Sequence, residues 1–355
     1  MAQQALAEGN FGALGDGYIS MYFFRNEPHK HGAVPGITPS PKRIARRFRL
    51  WIRPPSELQT KCCPGGPNRN RRKPAFLLSS TSNPHEEEFQ MTSHTISQHA
   101  VASTDGTMIG FRKAGDGAPI VIVHGSISTG DQWLPVAEQL AKSNTVYVMD
   151  RRGRGLSSDA DDYSLATEVE DIKTIMAVAG DNPALLGHSY GAICALEAAR
   201  TGAPVSDLVL YEPPLPVDSP TAGPALDDYA AAIEEGDGEK AIHIAAAHFL
   251  RISPEETEAL AATPLWPDMV RLSPTWTREL REIDLTAALI PQYLKIPTRT
   301  LLLVGEASPS HMIGASRHLK NLPNSTEITF PGQTHFAHIT DPAGVAEVIR
   351  LFLQK

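Results

Sequence analysis

The chain has 355 residues, 41% hydrophobic and 20% charged, enough for one large α/β domain with insertions or for two domains of ordinary soluble composition. Its net charge of −8 is uneven: residues 1–90 hold 13 Lys/Arg against 7 Asp/Glu, the remainder 19 against 33, and an acidic folded part argues against a nucleic-acid partner. Three cysteines, Cys62, Cys63 and Cys194, build neither a disulfide framework nor a zinc-ligand spacing, and no apolar run approaches the roughly 18 to 20 residues of a membrane span, so a reducing, cytoplasmic setting is expected.

Residues 1–90 carry ten prolines and two basic stretches, 42–53 and 69–73, with no sustained apolar period, and are expected to be a disordered extension. The first residues lack the basic region followed by an apolar one that marks a secretory signal. From about residue 96 short apolar runs alternate with helical patterns, the signature of a mostly parallel sheet with crossover helices. Strands are expected at 119–123, 145–149, 184–186, 208–211, 300–304 and 326–330, with helices at 132–141, 167–179, 192–200 and 345–353. Continuous apolarity without alternation means that both faces of the sheet are covered. Between Tyr211 and Thr300 lie about ninety residues, where a βα connection needs about 2 to 6. Helix-like segments at 226–235, 239–251, 254–262 and 275–283 make this interval an inserted helical lid. The domain plan is therefore a core of 91–212 and 298–355 with a lid at 213–297.

Gly187-His188-Ser189-Tyr190-Gly191 falls where the strand ending at Leu186 turns into the helix starting at Ala192. A sharp strand-to-helix turn leaves no room for side chains beside its central residue, which the flanking glycines provide. The Ser189 hydroxyl is thereby exposed at a helix N-terminus, where amide donors favour developing negative charge. At these residues the sequence resembles the α/β-hydrolase family, over about residues 96–355. The resemblance implies an α/β fold with a mostly parallel eight-stranded sheet, flanking helices and an inserted helical lid, and makes Ser189 the nucleophile. His124-Gly125-Ser126 is similar to the family's His-Gly-x element, which implies backbone N–H groups of Ser126 and Tyr190 as the oxyanion hole. Asp150-Arg151-Arg152-Gly153-Arg154-Gly155-Leu156-Ser157 looks like the family's Asp-x-Arg-Gly-x-Gly-x-Ser turn, which shapes the sheet edge.

A serine hydroxyl needs a base within reach. His335, after the last strand and before the C-terminal helix, stands where the family places that base, with His338 as the alternative. His124 and His188 read as structural or pocket-lining. The pair His335-x-x-His338 lacks the glutamate of a zinc-protease helix, so no metal is expected. At the family's usual aspartate position this chain has Ser308, in Gly305-Glu306-Ala307-Ser308. Some relatives supply the carboxylate from the end of the preceding strand, which here is Glu212. A charge ending a buried strand needs a partner, although a solvent-facing strand end would also explain it; Glu306 is the reserve.

The resemblance implies acyl transfer through an acyl-enzyme on a small to medium apolar ester, lactone or thioester, without cofactor. Trp266, Met269, Leu272 and Trp276 are expected to line the pocket, though such helical residues serve as readily as lid core. A haloalkane dehalogenase or epoxide hydrolase would carry aspartate in place of Ser189. The competing readings are a perhydrolase (non-haem haloperoxidase), lyase or cofactor-free oxygenase of the same fold, or a non-catalytic ligand-binding protein. The expected partner is a small-molecule substrate; the sequence leaves the oligomeric state open.

Overall fold

The computed structural model describes residues 95–354; the extension expected at 1–90 lies outside them. Eight strands form one sheet: β1 (Ser97–Ala102), β2 (Met108–Ala114), β3 (Ala118–Val123), β4 (Asn144–Met149), β5 (Ala184–His188), β6 (Asp207–Tyr211), β7 (Arg299–Gly305) and β8 (Ser325–Phe330). Their spatial order is β1-β2-β4-β3-β5-β6-β7-β8. β2 is antiparallel to both β1 and β4, and β3 through β8 are parallel. Within each central strand successive residues go to opposite faces. Val121, Val123, Leu185, Leu208 and Leu210 face one hydrophobic layer, and Ile120, Ile122, Leu186, Val209 and Tyr211 face the other. The second layer is closed by α1 (Leu134–Leu140) and the C-terminal helix α11 (Pro342–Leu353); the first is closed by α2 (Leu165–Ala179) and α3 (Tyr190–Arg200). Coverage on both faces is why these strands read as unbroken apolar runs.

The interval between β6 and β7 carries α4 (Ala225–Glu234), α5 (Gly238–Ala245), α6 (Pro254–Ala261), α7 (Trp266–Leu285) and the short α8 (Ile290–Tyr293). Its apolar side chains, Tyr229, Phe249 and Trp276 among them, are continuous with the first layer of the core. Two elements differ from the sequence expectation. The segment expected as one helix over 239–251 passes from α5 into a π-helical turn, Ala246–Leu250, and stops at Arg251, whose φ of 54° is left-handed. α7 begins nine residues before the expected 275, and runs through Pro274. A proline inside a helix strips one carbonyl of its donor; here that carbonyl, of Val270, accepts from the Ser273 hydroxyl at 2.7 Å. Past β7 the remaining elements are α9 (Ser310–Leu319), which carried no expectation, and the single turn α10 (Ala337–Thr340).

Candidate active site

β5 ends at His188 and α3 begins at Tyr190, so Ser189 alone makes the turn. Its backbone, φ 55° and ψ −124°, is one that side-chain-bearing residues rarely adopt. The Ser189 amide donates to the Tyr211 carbonyl at 2.8 Å, locking the turn to the end of β6. The glycines on either side have a steric cause. A Cβ at Gly187 would stand 2.3 Å from the Gly191 carbonyl oxygen, and one at Gly191 would stand 2.4 Å from that of Val123. Tyr190, first residue of α3, has an amide with no acceptor four residues back in its helix.

Glu212 follows β6 with φ 44° and is wholly buried. Both oxygens are engaged: Oε1 accepts the Gly305 amide at 2.7 Å, and Oε2 lies 2.6 Å from His335 Nδ1. A carboxylate at that distance fixes the proton on Nδ1 and leaves Nε2 as the acceptor. Glu306 is exposed and accepts the Gly332 amide at 2.8 Å. Ser308 is buried, without a hydrogen-bond partner for its hydroxyl. His338 lies behind the site: it is fully buried, stacks on Trp133 at 4.7 Å and 8°, and burial lowers its pKa to about 3. His188 packs 4.5 Å from the His335 ring, and its Nε2 donates to the His335 carbonyl at 3.1 Å. Burial and the neighbouring imidazoles hold His188 well below the usual histidine range.

Asp150 directly follows β4 and accepts from Gly130 N, Leu156 N and Arg112 Nη1 at 2.7, 2.8 and 2.8 Å. It thereby folds the Asp-x-Arg-Gly-x-Gly-x-Ser turn onto the sheet edge. Ser126 follows β3 and lines the same pocket as Ser189.

A pocket of about 480 Å³, its open mouth included, is lined by Gly125, Ser126, Ser189 and His335 together with side chains of the inserted helices. Of the four residues expected there, Met269 and Trp276 line it. Trp266 and Leu272 do not: Trp266 donates its indole N–H to Glu239 at 2.7 Å, and Leu272 packs into the core. A stripe at helical spacing is wider than the arc that meets the pocket, so periodicity could not separate the two pairs. Leu250, Leu265, Ile127, Gln132 and Phe336 also line the pocket and had no signal in the sequence beyond their apolar or loop setting. Among the described residues no group of three or more His, Cys, Asp or Glu could hold a metal ion, and no helix is long and apolar enough to cross a membrane.

The chain is 43% identical over 108 residues to N-formylmaleamate deformylase of Pseudomonas putida, a match covering 29% of this chain and 40% of that protein. It is 31% identical over 95 residues to pimeloyl-[acyl-carrier protein] methyl ester esterase of Aliivibrio salmonicida, covering 27% of this chain and 35% of that one. The chain thus spans well under half the length of these curated relatives. A crystal structure of an alpha/beta hydrolase from Sphaerobacter thermophilus superposes with a TM-score of 0.66 at 31% identity, over 72% of this chain and all of that one. A family model described as the alpha/beta hydrolase family matches residues 120–348, well over half the sequence. The chain belongs to the alpha/beta hydrolase family.

Proposed function

We propose that the protein is a serine hydrolase that cleaves a carboxylic ester, lactone or thioester of a small to medium apolar acyl group through an acyl-enzyme on Ser189. The observation that carries this reading is that Ser189, on its strained turn, and His335, whose ring lies 2.6 Å from buried Glu212, line one pocket. His335 Nε2 takes the Ser189 proton as Oγ attacks the carbonyl carbon. The amides of Ser126 and Tyr190 receive the oxyanion, and the imidazolium returns the proton to the leaving oxygen or sulfur. Water, activated by the same imidazole, then releases the acid. Glu212 holds the ring's tautomer and stabilises its transient charge. Ile127, Leu250, Leu265, Met269, Trp276 and Phe336 give the acyl chain an apolar wall, and the inserted helices act as a lid.

The deformylase relative supports adding an N-formyl amide to the substrates tested, as the attack and proton transfers are the same for a formyl carbonyl. The full chain, assayed on p-nitrophenyl esters of increasing acyl length, is expected to turn over the short and medium members and to label at Ser189 with a fluorophosphonate. Ser189→Ala is expected to lower the rate by about 10⁶. An S189A variant with undiminished turnover would refute the reading. Product analysis in the presence of peroxide, acid against peracid, separates a hydrolase from a perhydrolase, and absence of labelling would favour a ligand-binding protein.

A further inference from the structure

Arg151 stands at a variable position of the Asp-x-Arg-Gly-x-Gly-x-Ser pattern, yet its side chain is fully buried. Its Nη1 donates to the Gly125 carbonyl at 3.1 Å. Its backbone N–H donates to His124 Nε2 at 3.0 Å, so that ring nitrogen is the acceptor. The other, Nδ1, carries the proton and donates to the same Gly125 carbonyl at 2.8 Å. Gly125 O is therefore gripped twice, by one side chain directly and by another that the same residue orients. A trans peptide holds its C=O and N–H in one plane, pointing in opposite directions. Fixing the Gly125 carbonyl thus fixes where the Ser126 N–H points.

The same guanidinium lies 4.7 Å from the centre of the Tyr190 ring, against the residue that follows Ser189. One side chain consequently touches the Gly125–Ser126 peptide and the side chain of Tyr190, the two places that carry the N–H donors assigned above. Its remaining donors go to Glu168 on α2, at 3.2 and 2.9 Å, and to Glu279 on the insertion helix α7, which Arg154 also engages. All four charged side chains are fully buried. Two arginines balance two glutamates, so the cluster aims a donor rather than supplying net charge. The guanidinium spends four N–H donors here, one on a carbonyl, two on Glu168 in a fork and one on Glu279, where an ammonium has only three and no planar fork.

We propose that Arg151 is a positioning residue of the oxyanion hole, holding the Gly125–Ser126 peptide and the Tyr190 ring in register and tying both to the lid helix through Glu279. This rests on the serine-hydrolase reading, so the wild-type protein is first shown to cleave p-nitrophenyl butyrate and Ser189→Ala to abolish it; failure there sinks that reading and this inference with it. Given that activity, Arg151→Lys keeps the charge and loses the fork. The expected result is a kcat about 10- to 100-fold lower with KM within about threefold. Affinity for an alkyl trifluoromethyl ketone, whose Ser189 adduct carries an oxyanion, falls by a similar factor, and affinity for the matched alkyl alcohol stays unchanged. A purely structural role would lower the active fraction and leave the ketone-to-alcohol ratio at its wild-type value. A folded R151K protein with wild-type kcat, or with that ratio unchanged, overturns the proposal. Should R151K not fold, Glu279→Gln decides: it leaves Arg151 in place and removes one of its charged anchors. A smaller shift of the ratio, about 3- to 10-fold, supports the proposal, and an unchanged ratio overturns it.

Discussion

Glu212 is a carboxylate wholly removed from water, and such a group persists as a charge only where each oxygen is met by a donor. The Gly305 amide and the His335 ring meet one oxygen each. Glu212→Gln would present an amide to the ring, and where its NH₂ faces Nδ1 the histidine is pushed to the wrong tautomer. We expect kcat on p-nitrophenyl butyrate to fall by about 10³ to 10⁴. Glu306→Gln should stay within about twofold, since that carboxylate accepts the Gly332 amide in the exposed loop. Equal losses in the two variants would remove Glu212 from its role. The sequence made Glu212 conspicuous because a charge at the end of an unbroken apolar strand has to be satisfied by something. It made Leu250, Leu265 and Phe336 inconspicuous, because which apolar residue faces a cavity is decided by how helices pack and not by any residue's own chemistry. Trp266 and Leu272, set on the same helix as Met269 and Trp276, show the ambiguity directly.

At the scale of elements, α7 bears most on the pocket. It supplies Met269 and Trp276 and is pinned along its length by Arg154 to Thr275 at 2.7 Å, Arg278 to Asp159 at 2.7 Å, and the Leu165 amide to Glu282 at 2.8 Å. Asp284, at its C-terminal end, accepts the Thr221 and Gly223 amides at 2.6 and 3.1 Å, tying the start of the insertion to its longest helix. The expected start at 275 falls directly after Pro274, and proline in a helix interior costs about 3 kcal/mol in isolation. What the pattern could not carry is the local remedy, a serine one residue earlier whose hydroxyl serves the stranded Val270 carbonyl. Ser273→Ala is therefore expected to lose about 1 to 2 kcal/mol of stability in urea unfolding, from a buried acceptor left without its donor. Adding Pro274→Ala restores a backbone N–H to that carbonyl, so the double variant should recover the loss. If the two changes are simply additive, the hydroxyl is not compensating the proline.

For the whole molecule the buried histidines set a pH limit on folding that is separate from catalysis. His124 and His188 are held neutral by burial, which in each outweighs every other influence, and His338, buried against Trp133, ionises only near 3. In the unfolded chain each would titrate near the ordinary value of 6.5. Between those limits the unfolded state binds protons that the folded state refuses, so stability falls as the pH is lowered through about 6.5 and continues to fall toward 3. Each such histidine contributes about 1.4 kcal/mol per pH unit inside its window. Carboxylates of the unfolded chain take up protons mainly below about 4.5, which leaves the slope from 6 to 5 to histidine. His338 is the cleanest test, because neither ring nitrogen has a partner and the ring is stacked flat on Trp133. His338→Phe keeps a planar ring there and removes the titration. We expect urea midpoints close to wild type at pH 8, a stability higher by about 1 to 2 kcal/mol at pH 5, and a pH slope between 6 and 5 reduced by about 1.4 kcal/mol per unit. An H338F slope equal to the wild-type slope would mean that the ring at this position takes up its proton in the folded state as readily as in the unfolded one.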